Sequence, residues 1–142
     1  MKEKKISIIG LGYIGLPTAA ILASNGFHVN GYDINQDAVS TINQGKIHIV
    51  EPQLEDYVKK AVKNNLLKAD NKLHKADIYF ICVPTPFTND SNGHLIPNID
   101  YVKDAAREIS NFVESGDIVI LESTSPVGTT EIVTNILKEK DE

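Results

Sequence analysis

Lys5 to Gly15 reads KISIIGLGYIG, and the fold turns on this stretch. Its first half is a short apolar run ending at Gly10, the pattern of a buried strand. Its second half sets Gly10, Gly12 and Gly15 at the spacing G-x-G-x-x-G. Ile14 to Ala23 is apolar and rich in small residues and predicts a helix, which Asn25-Gly26 stops. Phe27 to Tyr32 predicts a second strand, closing on Asp33. Glycines at this spacing are a weak signal alone. Between a strand and a helix, with an acid beyond, they mark a turn that holds the pyrophosphate of a dinucleotide. Gly10 permits the tight turn out of the strand, Gly12 lets phosphate approach the backbone, and Gly15 lets helix and sheet pack closely. The bare N–H groups at the helix start, those of Tyr13 and Ile14 among them, act with the helix dipole to hold an anion. Pro17 has no N–H and fits only near the first turn. The plainer alternative is a tight turn with no ligand.

Asp33 lies eighteen residues after Gly15, close to the roughly 20 expected for the acid that binds the adenosine ribose. A carboxylate there accepts from both ribose hydroxyls and repels a 2'-phosphate. The next residues, Ile34-Asn35-Gln36, supply no arginine to neutralise one. The prediction is therefore NAD rather than NADP. Asp33 also suits the N-cap of the next helix, and the two roles are compatible.

Outward from this unit, Asn35 to Asn43 predicts a helix with Gly45 just past its end, and Gly45 to Glu51 an irregular link. Pro52 is read into the first turn of a helix whose face is Leu54, Tyr57, Val58, Ala61 and Val62. Glu55 and Asp56 fall on its polar side and are read as solvated. A weak strand near Leu67 to Ala69 and a clear one over Asp77 to Val83 follow. Pro84 to Asn98 reads as a loop with a turn at Ser91-Asn92-Gly93. Tyr101 to Val113 carries a helical stripe, Asp117 to Leu121 reads as a buried strand, and Pro126 opens a last helix running to about Lys138. The closing KEKDE reads as a solvated helix end. Alternating strands and helices predict an α/β, Rossmann-type doubly wound parallel sheet in a single domain, residues 1–142. Five strands are expected where a complete sheet of this type has six. The chain is accordingly expected to be part of a longer protein, truncated before the last strand.

The bulk numbers agree with one such domain: 142 residues, 42% hydrophobic and 23% charged. A net charge of -5 gives no sign of a nucleic-acid or membrane partner, so any anion must be held by local dipoles. Cys82 is the one cysteine, and no Cys or His spacing suggests a metal site. Mid-strand between Ile81 and Val83, it reads as a small buried hydrophobe. His28, His48, His74 and His94 form no pattern with a carboxylate and a nucleophile. Neither a signal peptide nor a bilayer-spanning stretch is present, and the expected location is the cytoplasm.

Two later segments leave strand ends: VPTPF, Val83 to Phe87, and ESTSPVGTT, Glu122 to Thr130. In an open parallel sheet both lie on the edge that carries the glycine turn. Thr85 and Thr124 either present hydroxyls to a cofactor or substrate or merely cap turns.

Together, GLGYIGLP at Gly10 to Pro17, VPTP and STSPVGTT resemble the UDP-glucose/GDP-mannose dehydrogenase family over nearly the whole chain. Within it, DINQDAVSTINQGKIHIVEPQL, Asp33 to Leu54, and Pro84 resemble the branch acting on UDP-N-acetyl-D-mannosamine. The resemblance implies a primary alcohol oxidised twice to a uronic acid, with two NAD reduced, for surface polysaccharide. It implies cofactor roles for Gly10, Gly12, Gly15, Asp33 and Thr85, and a supporting catalytic role for Thr124 in placing a water or substrate oxygen. It also implies a UDP-sugar substrate and a homodimer for the full-length protein. The family's nucleophilic cysteine, lysine, asparagine and glutamate all fall beyond residue 142, so this chain is expected to bind NAD without turnover. Three alternatives remain: a UDP-glucose or UDP-N-acetylglucosamine dehydrogenase, a hydroxyacid or acyl-CoA dehydrogenase opening on the same fold, and a stand-alone NAD-sensing module.

Overall fold

Residues 3–139 are described by the computed structural model. The last three residues of the charged tail lie outside them. Strand β1 (Lys5–Ile9) leads through the glycine turn into helix α1 (Gly15–Ser24), then β2 (His28–Tyr32), α2 (Gln36–Asn43), α3 (Leu54–Lys63) and β3 (Leu67–Asp70). The chain returns as β4 (Ile78–Ile81), a hairpin of β5 (Phe87–Asn89) and β6 (Leu95–Pro97), α4 (Asp100–Ser110), β7 (Ile118–Leu121) and α5 (Thr129–Lys138). The main sheet has five strands in the order β3-β2-β1-β4-β7, every pair parallel. The winding runs outward from β1 to β3, then reverses to β4 on the other side of β1. The carboxyl ends of β1 and β4 therefore flank the switch point, where such sheets bind ligands.

Strand alternation divides the interior in two. Ile6 and Ile8 face a core with Leu16, Ala19 and Ala20 of α1, Ile42 of α2 and Val58 of α3. Ile9, Tyr79 and Ile81 face the opposite core with Val102, Ala106 and Ile109 of α4 and Val133 of α5. Leu16 and Ile8 are fully buried, each worth about 1.5–3 kcal/mol relative to exposure. Tyr79 is fully buried too, and its hydroxyl accepts from the Ala76 N–H at 2.9 Å.

Several expectations require correction. Asp117 to Leu121 is not a buried strand: β7 lies at the edge of the sheet, with Ile118 and Ile120 53% and 37% exposed. Residues 84–98 are not a plain loop. They form the antiparallel hairpin, with Ser91-Asn92-Gly93 in its turn and Gly93 at φ 81°. Pro126 precedes α5 by three residues, and its carbonyl accepts from both the N–H and the hydroxyl of Thr129. Pro52 likewise stands before α3, in a turn closed by the left-handed Gln53 (φ 65°). The buried stripe of α3 is only Leu54, Val58 and Ala61, with Tyr57 turned out on its flank. Strand β4 is shorter than Asp77 to Val83, and α4 ends at Ser110, before Phe112 and Val113.

Candidate functional site

The glycine turn is shaped by contact from below. Gly10 has φ +92°, and a Cβ there would come 2.5 Å from the Cys82 carbonyl oxygen. A Cβ on Gly15 would lie 1.7 Å from the Gly10 oxygen and 3.1 Å from Cys82 Cβ, so only glycine lets α1 begin this close to the sheet. Over Gly12 there is nothing within 4 Å. That open space faces N–H groups without partners: among the described residues those of Gly12, Tyr13 and Ile14 donate to no protein acceptor. Helix α1 has no side-chain cap. Pro17, third in the helix, removes no bond its turn needs. Bare amides, a helix dipole and room for a ligand are the requirements of an anion site.

Asp33 is built into the same turn. Its Oδ2 accepts from the Leu11 N–H at 2.9 Å and its Oδ1 from the Asn35 N–H at 2.9 Å. Its own N–H donates to the Asp70 carbonyl, and its carbonyl accepts from the Asn71 amide at 2.9 Å. Each carboxylate oxygen keeps acceptor capacity for ribose hydroxyls. Asp33 is not the N-cap of α2. That role falls to Asn35, whose Oδ1 accepts from the N–H groups of Asp37 and Ala38.

The two later loops meet above β4 and β7. Thr85 Oγ1 donates to the Thr124 carbonyl at 2.6 Å, so one of the two candidate hydroxyls joins the loops. The Thr124 side chain is exposed and makes no hydrogen bond among the described residues. Ser123 Oγ donates to the carbonyls of Ile81 and Val83, fixing the β7 exit to the β4 exit. Cys82 is buried. Burial, reinforced by the Glu122 carboxylate, pushes its thiol well above the ordinary range, which leaves it unsuited to attack as a thiolate.

Three residues of this region went unweighed in the sequence. Gly31 sits in β2 where a Cβ would lie 2.7 Å from Leu11 Cδ2, so it makes room for the turn's fully buried leucine. A glycine inside a strand is the signal that would have marked it. Ile34, 80% exposed beside Asp33, offers an apolar surface at the crevice rim. Glu122, inside the quoted loop motif, joins Thr18 to Cys82. The histidines stay outside the crevice's hydrogen bonds: His28 and His48 are exposed, and His74 and His94 pair with Asp70 and Asp90 without a nucleophile. Among the described residues no cluster of His, Cys, Asp and Glu forms a metal-holding group. No described helix is long and apolar enough to cross a membrane.

A reversing parallel sheet, a partnerless amide turn at its switch point and an acid fixed to that turn define a dinucleotide-binding domain of the Rossmann type. The chain belongs to the UDP-glucose/GDP-mannose dehydrogenase family: residues 4–142 match that family's NAD-binding domain, and the cofactor is NAD. It is 52% identical over 136 residues to a UDP-N-acetyl-D-mannosamine dehydrogenase of Campylobacter jejuni, covering 96% of this chain and 33% of the relative. It is 52% identical over 128 residues to an NDP-N-acetyl-D-galactosaminuronic acid dehydrogenase of Ralstonia nicotianae, covering 90% and 29%. Among solved structures, the UDP-D-ManNAc dehydrogenase of Pyrococcus horikoshii superposes with TM-score 0.88 at 38% identity, over 95% of this chain and 32% of that one. The chain thus spans about a third of the length of the relatives it matches.

Proposed function

We propose that this chain is the NAD-holding part of a nucleotide-sugar 6-dehydrogenase that oxidises UDP-N-acetyl-D-mannosamine to its uronic acid with two NAD. The observation that carries the reading is the Asp33 carboxylate anchored on the glycine turn, beside amides left without acceptors. In this reading the amides of Gly12, Tyr13 and Ile14 hold the pyrophosphate, with Gly10 and Gly15 shaping the turn. Asp33 accepts from the adenosine ribose hydroxyls and opposes a 2'-phosphate. Thr85 keeps the two later loops in register, and the Thr124 hydroxyl orients a water or substrate oxygen. Bound NAD supplies the hydride acceptor. The sugar assignment draws on the mannosamine relatives. The Ralstonia relative, equally identical, makes a galactosaminuronic substrate the second reading.

With Cys82 buried and its thiol raised, the chain lacks an available thiolate, and we propose that it binds NAD without turning over a UDP-sugar. We further propose that it works within a longer, homodimeric cytoplasmic dehydrogenase whose remaining domains grip the UDP-sugar. Calorimetric titration tests the cofactor assignment: NAD is expected to bind at least about tenfold more tightly than NADP, a difference of about 1.4 kcal/mol. Equal or tighter NADP binding overturns it. NADH formation by the 142-residue chain from UDP-N-acetyl-D-mannosamine overturns the binding-only reading.

A further inference from the structure

We propose that Glu122 is a positioning residue for the dinucleotide: its carboxylate fixes α1 against the carboxyl ends of β4 and β7, and so sets the distance between the glycine turn and the two later loops. The inference rests on the NAD site proposed above and concerns how that site is held in shape.

Glu122 is the first residue after β7 and is exposed. An exposed glutamate at a strand end ordinarily faces water with both oxygens. Here the two oxygens are taken by donors from two other elements. Oε1 accepts from Thr18 Oγ1 of α1 at 2.8 Å, and Oε2 accepts from the Cys82 thiol, just past β4, at 3.2 Å. The Glu122 N–H donates to the Ile81 carbonyl at 3.0 Å, which fixes the base of the side chain.

Cys82 is also the residue on which the glycine turn rests. Its carbonyl crowds Gly10 and its Cβ crowds Gly15. The contacts therefore form a closed circuit: Glu122 to Thr18, one turn inside α1; along α1 to Gly15; from Gly15 to Cys82; and back to Glu122. Helix α1 has ample burial through Leu16, Ala19, Ala20 and Ala23, so its formation does not depend on this circuit. What the circuit governs is where the start of the helix stands relative to Thr85 and Thr124. A dinucleotide bridging the helix start and those loops registers that distance. A ligand confined to the Asp33 side does not.

The chemistry favours a carboxylate. Both partners donate, and both oxygens of an ionised glutamate accept, whereas glutamine offers one acceptor and one donor group. Glu122→Gln should therefore lose one of the two ties at nearly constant volume. Thr18→Val removes the other partner's hydroxyl with its shape retained, and Thr18→Ser keeps the hydroxyl.

The test is calorimetry with NAD on the 142-residue chain and its variants, together with adenosine titrated against the Asp33 amide resonance. Adenosine has no phosphate and reaches only the ribose acid. Glu122→Gln and Thr18→Val are each expected to weaken NAD about three- to tenfold, the worth of a hydrogen bond of roughly 0.7–1.4 kcal/mol. Adenosine affinity should stay within about twofold in both. Thr18→Ser should bind NAD like the unaltered chain. Unchanged NAD affinity in both Glu122→Gln and Thr18→Val overturns the proposal. So does equal weakening of NAD and adenosine, which is general loosening. An unaltered chain that takes up adenosine but no NAD removes the functional reading and this inference with it.

Discussion

Gly12 and Gly15 stand three residues apart and answer to different constraints, so the same added methyl should have opposite consequences. At Gly12 it meets nothing within 4 Å, and at Gly15 it would sit 1.7 Å from the Gly10 oxygen. Gly12→Ala is expected to unfold in urea within about 0.5 kcal/mol of the unaltered chain. Its NAD affinity should fall at least about tenfold, because the methyl occupies the phosphate's approach. Gly15→Ala is expected to lose about 3 kcal/mol, since the helix must move off the sheet to admit it. A Gly12→Ala chain that keeps its NAD affinity would place the pyrophosphate elsewhere. At this scale the sequence was informative where local geometry restricts residue type. The turn glycines and Asp33 stood out because close backbone contact at Gly10 and Gly15, and the bond from the Leu11 N–H to the acid, tie residue type to that spacing. Gly31 was not read, although it serves the same turn, because its requirement comes from Leu11, a contact across strands that spacing does not reveal. Glu122 escaped for a similar reason: a glutamate at a strand end looks solvated until its two donors, far away in sequence, are brought beside it.

Among the elements, α2 shows how a cap assignment moves by two residues with consequences. The cap is Asn35 and not Asp33, which leaves the Asp33 carboxylate facing the glycine turn. Asn35→Ala is expected to cost about 1 kcal/mol in urea unfolding, the usual worth of an N-cap. A cost near zero would show that the α2 N–H groups find other partners. Helices and the three inner strands were legible because their apolar periodicity is enforced by burial on both sheet faces. The hairpin was not. All six residues of β5 and β6 are exposed, so no core contact imprints a pattern on them, and the flanking prolines read as loop. Strand β7 was found, but its surroundings were misread: IVIL is apolar throughout, as a buried strand would be, yet it lies at the edge. An apolar edge without lysine, proline or bulge invites pairing between chains. The 142-residue chain is expected to self-associate as concentration rises, and Ile120→Lys to reduce this in light scattering. Association unaffected by that change would direct attention to the exposed hairpin instead.

Across the whole molecule, pH dependence follows from three aspartates. Asp70 is held below its ordinary value near 3.8 chiefly by the hydrogen bond from His74, Asp77 by the Lys5 N–H, and Asp90 by the His94 N–H. A carboxyl whose folded value lies below its unfolded one stabilises the fold above the unfolded value and loses that contribution as pH falls through the folded one. Unfolding free energy is therefore expected to stay level above about pH 5 and to decline from about pH 4 downward. A decline already under way at pH 6 would rule out these three carboxylates as its source. The doubly wound architecture was legible as a whole because strand and helix alternate along the chain. Two separate cores were not, since which face each residue joins depends on the β1-β4 reversal. One arrangement at the centre of that reversal bears on how quickly the chain is filled. The Leu11 N–H donates to the Asp33 carboxylate, so the acid proposed to grip the ribose and the turn proposed to cradle the phosphates are held at a set distance. Capture should then resemble a key entering a cut lock, with a rate governed by collision and orientation and little ordering entropy surrendered on the protein's side.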